Sequence, residues 1–345
     1  MRYIGVDLHT TQLTVCYRDE SRAERLEIFA IDMVDKFISS LNAEDKVAYE
    51  ATGNSLFLYK KLLPAIGEGN ITVVNTSMFK LISKSVKKTD KNDSKLLAEY
   101  LSKDMLPKAR IKDELNARVY ALIETRENLV RTTTSFKNQI HNIFVQHGIK
   151  IKARQVATEK NLNKLLESCD FDETTMFHLN LAKKAILHNM DLSAEIESKL
   201  GELKSQMGQI DNLTSICGIG LKSAMGIKAV IGDVDNFEDE HKLVAYSGLC
   251  PRVQNSNETV SHGGITKRGN KLIRKLLVQC AWVSVRYNPI MKKQYENLRR
   301  RKAAGIAIIA IARKLLIQIY YTLKHNWYFT DTANTQREIK VFVGN

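Results

Sequence analysis

The chain has 345 residues, of which 44% are hydrophobic and 26% are charged, and only 4 are proline. This composition excludes a disordered or fibrous protein and leaves room for roughly two or three globular domains. The formal net charge is +14, and all of that excess lies in residues 265–345, which hold 17 basic and 3 acidic side chains. Such a polarised charge indicates a polyanionic partner, above all nucleic acid.

The sequence gives little support for a secreted or membrane-bound protein. The most apolar run, 303–323, is interrupted by Arg313 and Lys314, whereas a membrane span needs about 20 residues with few charges. The N-terminal residues do not have the pattern of a signal peptide. The 5 cysteines are too far apart to form a Cys-x-x-Cys pair or a zinc set. We therefore expect a cytoplasmic, nucleoid-associated protein without a membrane partner.

Residues 1–110 alternate between strand and helix patterns. Three strand-like runs are followed in turn by a helix, a strand, a helix, a strand and a helix. Three antiparallel strands that continue into a parallel pair are the order of an RNase H-like domain. The predicted strands cover 3–8, 13–17, 26–31, 46–49 and 71–74, and the predicted helices cover 33–41, 56–66 and 91–101.

Residues 111–210 carry apolar side chains at three- and four-residue steps and contain very little glycine or proline. The spacing predicts one long helix, or a helical hairpin completed by 176–208. Because the segment is close to neutral, we interpret it as an antiparallel coiled-coil arm rather than a nucleic-acid groove. An ordinary helical bundle and a dimer contact remain open alternatives.

Residues 211–345 are predicted to form a mostly helical domain around a polar, glycine-containing stretch at 247–264. Helices are expected at about 268–286 and 303–325. The segment Ile-Cys-Gly-Ile-Gly at 216–220 precedes a further apolar helix. Its Gly-Ile-Gly at 218–220 is similar to the turn of a helix-hairpin-helix motif, for which we favour tight packing as the explanation. The whole chain is thus predicted to combine an α/β domain at 1–110, an arm at 111–210 and an all-α domain at 211–345.

Four acidic residues fall at positions that an RNase H-like sheet brings together. Asp7 ends the first strand and Glu50 ends the fourth, its neighbour in such a sheet, while Asp90 and Asp93 begin the last helix. Converging carboxylates repel one another unless cations neutralise them, and Mg²⁺ prefers hard oxygen ligands. We therefore predict a Mg²⁺ site suited to phosphodiester chemistry, although each acid alone could be a turn or helix cap. Whether both Asp90 and Asp93 contact the metal stays open.

The segment Gly-Val-Asp-Leu-His-Thr-Thr at 5–11 is also similar to the first phosphate loop of actin-like ATPases. An ATPase needs a second phosphate loop of the acid-glycine-threonine type, and we find none in the sequence. His9 also stands where glycine would allow the backbone to approach a phosphate. The ATPase stays a minor alternative.

A second cluster combines serine with basic side chains. A serine hydroxyl attacks a phosphate only when its proton is removed and the phosphate is neutralised. The cluster contains Ser247 and Ser256, although a serine in a polar loop is most often solvated and inert. In the helices that follow, basic residues lie opposite an apolar stripe and predict salt-dependent contacts to nucleic-acid backbone. The predicted nucleic-acid-binding residues are Arg252, Lys267, Arg268, Lys271, Arg274, Lys275, Arg299, Arg300 and Arg301.

In this order and spacing, the motifs resemble those of the insertion-sequence one-ten family (Piv/MooV type) of DEDD transposases. The resemblance covers nearly the whole chain. The matching segments are 5–7, 49–53, 88–94, 248–251, the serine five residues after Pro251, 265–270 and 310–316. That serine is Ser256; the family usually has glycine directly after it, whereas this chain has Asn257, so Ser261 and then Ser247 are the substitutes as candidate nucleophile.

The resemblance implies a RuvC-like domain in which Asp7, Glu50, Asp90 and Asp93 bind metal. It also implies that a coiled-coil arm leads to a transposase domain, where Ser256 forms a covalent phosphoserine intermediate. The implied partners are double-stranded donor and target DNA, a structured non-coding guide RNA that pairs with both, and further copies of the chain in a dimer or tetramer.

Two other functions fit the same residues. A RuvC-like nuclease or junction resolvase would cut DNA by metal-activated water and would tolerate loss of Ser256. A non-catalytic protein with a degenerate RNase H-like domain would bind nucleic acid in a salt-sensitive way without cleaving it.

Overall fold

The computed structural model describes residues 1–76, 78–79, 89–256 and 259–329, and within 253–262 it describes backbone alone. The chain divides into two compact units, Met1–Lys112 and Asp113–Asn345. We call them unit 1 and unit 2 and describe each by itself.

Unit 1 contains a five-stranded mixed sheet. Strands β1, β2 and β3 are antiparallel neighbours, while β4 pairs parallel with β1 and β5 pairs parallel with β4, giving the order β3-β2-β1-β4-β5. The predicted mixed sheet is therefore confirmed. Its strands are β1 Tyr3–Leu8, β2 Gln12–Arg18, β3 Glu24–Ala30, β4 Lys46–Glu50 and β5 Ile71–Val74; the helices are α1 Val34–Ser39, α2 Ser55–Ile66 and α3 Asp90–Ser102.

The two faces of the sheet pack against different helices because side chains alternate along a strand. On β1, Ile4, Val6 and Leu8 belong to the core that also contains Phe37 of α1 and Leu58 of α2. The opposite face of the sheet is covered by α3.

The close approach of α3 to the sheet requires a glycine in β1. A Cβ atom added at Gly5 would overlap the carbonyl oxygen of Ser94 and lie 2.5 Å from the backbone nitrogen of Ala98. Only a residue without a side chain lets the backbone of α3 come this close. The glycine thus sets the height of α3 above the strand that contains Asp7.

Unit 2 begins with two long antiparallel helices, α4 Glu114–Gln146 and α6 Glu173–Leu203, with the short α5 Glu159–Glu167 between them. At one end, Ile140 of α4 and Leu179 of α6 share a small core. At the other end, Ile123 joins the main core of unit 2. Of the two helical arrangements predicted for this segment, the structure forms the hairpin; the coiled-coil arm stays a prediction.

The rest of unit 2 is helical except for one β-hairpin. The elements are α7 Ile210–Thr214, α8 Leu221–Ile231, α9 Glu240–Ser247, β6 Pro251–Ser256, β7 Thr259–Ile265, α10 Lys271–Tyr287, α11 Pro289–Arg299 and α12 Ala304–His325. The sequence predicted α8, α10 and α12 and missed the β-hairpin and α11.

Within the described part of the chain, α12 is the one helix long and apolar enough to cross a membrane. Ile311, Leu315 and Ile319 of this helix are fully buried in the main core of unit 2. Burial of this kind is typical of the central helix of a globular domain.

Candidate metal centre and serine hairpin

The register of the sheet brings Asp7 and Glu50 side by side. Val6 of β1 lies opposite Tyr49 of β4 in a parallel ladder, so the next position along each strand places Asp7 beside Glu50. Val6 and Tyr49 both point into the core beneath α1 and α2. By alternation, Asp7 and Glu50 lie on the other face, which α3 covers.

Helix α3 adds its two aspartates from above the sheet. Its N-cap is Thr89, whose side chain accepts a hydrogen bond from the backbone nitrogen of Asn92 at 3.3 Å. Asp90 and Asp93 therefore occupy the first turn, and neither serves as the cap. A negative side chain is stabilised there by the helix dipole. Since Ser94 and Leu97, one turn further on, are fully buried against the sheet, both aspartates begin the face that packs on it.

Three ligand atoms meet at this edge of the sheet. The Nε2 atom of His9 lies 3.3 Å from Oδ2 of Asp7 and 3.5 Å from Oδ1 of Asp90. All three atoms lie within 4.8 Å of one another, close enough for a single cation to contact them. The Asp7 carboxylate is 20% exposed, whereas the side chains of His9 and Asp90 are 49% and 48% exposed. The cluster is therefore open to solvent on the side of His9 and Asp90 and largely covered on the side of Asp7.

The electrostatics of Asp7 fit a cation site. Burial raises the pKa of Asp7; the His9 ring lowers it, and the charges of Asp90 and Asp93 raise it again. Asp93 is thus close enough to act on Asp7. A bound cation would relieve both the burial cost and the repulsion, and carboxylate oxygens are the ligands that divalent cations such as Mg²⁺ take. The residues present fit a divalent metal, while the metal-binding role of each of the four acids stays a prediction.

His9 is the site residue that the sequence interpretation missed. It was considered only as a poor substitute for glycine in a phosphate loop. It lies in the turn between β1 and β2, where its backbone nitrogen donates to the carbonyl of Gln12 at 2.9 Å and its carbonyl accepts from Nδ2 of Asn54 at 2.9 Å. The signal in the sequence was histidine two residues after aspartate at the end of a strand. With this spacing the imidazole of His9 can lie next to the carboxylate of Asp7.

Replacing His9 with alanine is expected to change which metal the cluster prefers. An imidazole suits Ni²⁺ better than Mg²⁺, which takes oxygen ligands almost alone. We expect the affinity for Ni²⁺ to fall about tenfold, or about 1.4 kcal/mol, and the affinity for Mg²⁺ to change much less. Titration calorimetry with each metal measures both. An equal loss for the two metals would show that His9 supports the site without selecting its metal.

The candidate nucleophile belongs to the β-hairpin of unit 2, formed by β6 and β7, which we call the serine hairpin. Ser256 ends β6 and pairs with Thr259 at the start of β7. Its side chain, that of Ser261, and the whole of Asn257 lie outside the described residues. Ser247, the last substitute considered, is fully buried, and its hydroxyl donates to the carbonyl of Val244 at 2.7 Å. Ser247 is thus unsuited to attack a phosphate.

The predicted nucleic-acid-binding residues differ in their surroundings. All except Arg274 are exposed. Lys275 forms an ion pair with Glu127 of α4, and Arg299 donates from Nη1 to the carbonyl of Lys302 at 2.9 Å. Arg274 is half-buried and donates to backbone carbonyls. Exposure suits the other residues to phosphate contacts, which stay predictions, but Arg274 needs a different account.

The glycine turn at 216–220 has a packing role. Gly218 has a φ of 96°, and a Cβ atom there would overlap the Ser284 hydroxyl and lie 2.7 Å from the carbonyl oxygen of Cys280. The Ser284 hydroxyl donates to the carbonyl of Cys217 at 2.6 Å. The turn is therefore bonded directly to α10, as the packing interpretation expected.

Two family models match the chain, one ending just after α4 and the other beginning after α6. The DEDD model named for IS110 and described as "Transposase" matches residues 4–149, which include all four acids. The model described as "Transposase IS116/IS110/IS902 family" matches residues 210–296, which include the serine hairpin.

Named relatives agree with these matches. The transposase for insertion sequence element IS1111A of Coxiella burnetii is 27% identical over 233 residues, which are 66% of this chain and 64% of that protein. The transposase for insertion sequence element IS1328 of Yersinia enterocolitica is 30% identical over 199 residues, 57% of this chain and 58% of the relative. The pilin gene-inverting protein of Moraxella lacunata is 27% identical over 266 residues, 74% of this chain and 73% of the relative.

The mixed sheet, its acidic cluster and the two matches together define a DEDD transposase, a class of enzyme that cleaves and recombines DNA. The chain belongs to the IS110 family of these transposases.

Proposed function

We propose that this chain moves an insertion sequence by cleaving and rejoining DNA strands at a Mg²⁺ site formed by Asp7, Glu50, Asp90 and Asp93, with Ser256 as the nucleophile. The observation that carries the proposal is the convergence of carboxylates at one edge of the sheet, where burial and neighbouring charge raise the pKa of Asp7. Repulsion among acids is costly unless their site binds a cation. Membership of a DEDD transposase family supports DNA as the substrate.

The serine step is a phosphoryl transfer. The Ser256 oxygen forms a bond to the scissile phosphorus as the bond from phosphorus to one sugar oxygen breaks. The serine gives up its proton, and the departing sugar oxygen takes one up to become a hydroxyl. Reversal with a different DNA strand would rejoin the ends. Asp7, Glu50, Asp90 and Asp93 would hold a divalent cation, which would supply positive charge to stabilise the charge developing on the phosphate. Exposed residues such as Lys267 and Arg268 would orient the DNA backbone.

The choice of site belongs to a structured non-coding RNA in this proposal, through base pairing with donor and target DNA. The concentration of charge after residue 264, with 17 basic and 3 acidic side chains, supports binding of nucleic-acid backbone by unit 2. The helical hairpin of α4 and α6 would act as the coiled-coil arm, and the active assembly would be a dimer or tetramer working on DNA in the cytoplasm.

The decisive experiment looks for the covalent intermediate. The protein is mixed with end-labelled donor and target DNA, Mg²⁺ and RNA transcribed from the flanks of its own gene, then run on a denaturing gel. We expect a labelled band at the mass of the protein, which Ser256→Ala removes because no other oxygen replaces the serine hydroxyl.

Ser261→Ala, on the opposite strand of the same hairpin, is the matched control and should retain the band. Cleaved DNA without a protein-linked band, unchanged in Ser256→Ala, would instead identify a hydrolytic nuclease. A band that Ser261→Ala removes and Ser256→Ala retains would move the nucleophile to Ser261.

A further inference from the structure

We propose that Arg274 and Arg313 are positioning residues, which together fix the base of the serine hairpin in one direction, and that Arg274 acts in this way rather than by binding a phosphate. The inference rests on the proposed role of Ser256. It accounts for two arginines that the proposed chemistry leaves unexplained, one of them in α12, the described helix that is long and apolar enough to cross a membrane.

Arg313 reaches the base of the hairpin from α12. Its Nε and Nη2 atoms both donate to the carbonyl oxygen of Leu249, at 3.2 Å and 2.8 Å. Leu249 is fully buried and lies two residues before β6 begins. Burial lowers the pKa of the Arg313 guanidinium, so keeping a charge at this position has a cost.

Arg274 reaches the same place from α10. Its Nη1 atom donates to the carbonyls of Ser247 and Gly269, each at 3.0 Å. These two carbonyls belong to the two chain segments that lead into and out of the hairpin. One guanidinium group therefore ties the incoming and outgoing segments together.

The two segments cross at a pair of glycines. Gly248 and Gly269 have φ angles of 72° and 98°, and a Cβ atom on either would overlap a backbone carbonyl of the other segment, that of Arg268 or Tyr246. The crossing continues into the hairpin, since the backbone nitrogen of Thr266 donates to the carbonyl of Cys250 at 2.9 Å. No side chain lies between the segments at this pair of glycines. The carbonyls of Ser247, Leu249 and Gly269 accept hydrogen bonds from the two arginines instead.

Arginine suits this task because its planar guanidinium holds several donors in a fixed geometry. Lysine offers a flexible point charge, and an apolar side chain would leave the partly buried carbonyls of Ser247 and Leu249 without these donors. Half-burying a charge against backbone carbonyls is an inefficient way to gain stability, and it is better explained by the need for one defined backbone geometry. The geometry so defined is the direction in which β6 carries Ser256.

The test separates positioning from phosphate binding. Arg313→Met and Arg274→Met keep much of the side-chain length and remove the donors. We expect formation of the protein–DNA adduct to slow about 100-fold at saturating DNA, the loss typical of a misplaced reacting group. We expect the DNA dissociation constant to stay within about twofold of the wild-type value, with an unchanged dependence on salt.

The matched control is Lys271→Met, three residues before Arg274 on α10 and exposed. Loss of a phosphate contact there should raise the DNA dissociation constant and lower the slope of log affinity against log salt concentration by about 0.9, two changes that Arg274→Met should not show. Arg313→Lys, which restores one donor, should recover part of the adduct rate and provides a second variant if Arg313→Met does not fold. Hydrogen exchange of the backbone amides of 247–252 and 263–269 should quicken in both methionine variants, independently of catalysis.

Different outcomes contradict different statements. A salt slope lowered by about 0.9 in Arg274→Met would make Arg274 a phosphate ligand and overturn its positioning role. An adduct lost in Ser256→Ala but undiminished in both arginine variants would overturn this inference alone. An adduct that persists in Ser256→Ala would overturn the proposed function and this inference with it.

Discussion

Replacing Asp7 with asparagine should abolish Mg²⁺-dependent strand cleavage while unit 1 stays folded. The amide has nearly the shape of the carboxylate but lacks the negative charge that attracts a cation to the site. We expect a loss on the order of 10³-fold in the rate of cleavage, comparable with removal of one charge-stabilising group from an active site. A cleavage assay on labelled donor DNA, with saturating Mg²⁺ and guide RNA, measures it.

The effect of Asp7→Asn on stability should have the opposite sign. In the folded chain, burial and, to a smaller extent, the charges of Asp90 and Asp93 raise the pKa of Asp7 above its ordinary value, although His9 lowers it. The carboxylate therefore destabilises the fold at a pH above the folded pKa, and that cost disappears as the pH falls through it. Without metal at pH 7, the variant should melt at the same temperature as the wild type or higher.

Added Mg²⁺ should raise the melting temperature of the wild type, because it binds only the folded site, and should raise that of Asp7→Asn much less. Differential scanning calorimetry with and without Mg²⁺ gives both numbers. Asp32→Asn, an exposed acid elsewhere in unit 1, is the control and should change neither melting nor cleavage. Cleavage at the wild-type rate by Asp7→Asn would show that the acidic cluster is not part of the active site.

Replacing Gly5 with alanine is expected to give the largest loss of stability among these variants. The added methyl group would overlap the carbonyl oxygen of Ser94 and lie 2.9 Å from Cβ of Leu97, so α3 must move away from the sheet. Overpacking of this kind costs about 3 kcal/mol, and more when backbone has to shift. Because Asp90 and Asp93 begin α3, the same movement should weaken Mg²⁺ binding.

Urea denaturation measures the free energy of unfolding, and titration calorimetry measures Mg²⁺ binding. Gly69→Ala is the matched control: a Cβ atom there meets nothing within 4 Å, so its free energy of unfolding should stay within about 0.5 kcal/mol of the wild type. Wild-type stability and Mg²⁺ affinity in Gly5→Ala would mean that α3 does not lie against β1 at this height.

The sheet and the placing of the acids could be predicted from the sequence because their signals are local. A short apolar, strand-like or alternating run marks each strand of unit 1, and strand order then follows from the order of elements. Asp7 and Glu50 become neighbours as soon as β1 and β4 are paired. The role of His9 was not predicted, because its position depends on the conformation of the turn between β1 and β2. The spacing of apolar residues carries no information about that conformation.

The serine hairpin and α11 escaped for other reasons. The strand β6 is largely polar, with Gln254, Asn255 and Ser256 in succession, so it shows no apolar alternation. The sequence did contain a signal for the start of α11, which is asparagine followed by proline. Asn288 is the N-cap, and its side-chain oxygen accepts hydrogen bonds from the backbone nitrogens of Ile290 and Met291. Pro289 occupies the first helical position, where proline is common.

The basic residues of α10 illustrate what a sequence does not distinguish. Lys271, Arg274 and Lys275 lie within five positions and looked equally suited to a phosphate. In the structure the first is exposed, the second donates to backbone carbonyls, and the third forms an ion pair with Glu127. Which anion or carbonyl a cation meets is decided by elements far away in the chain.

The start of α4 sets a limit on how the protein can be divided. Val119 and Ile123 are fully buried in the same core as α8, α10 and α12, and Ile123 lies close to Gly226 of α8. Glu127, one turn further on, forms ion pairs with Lys222 and Lys275. A fragment that begins at residue 211 would thus expose the apolar surface that α4 covers. It would also leave Lys222 and Lys275 without their ion-pair partner Glu127. When the gene is truncated, or when segments are exchanged between related transposases, the basic helices and the first turns of α4 therefore have to be kept together.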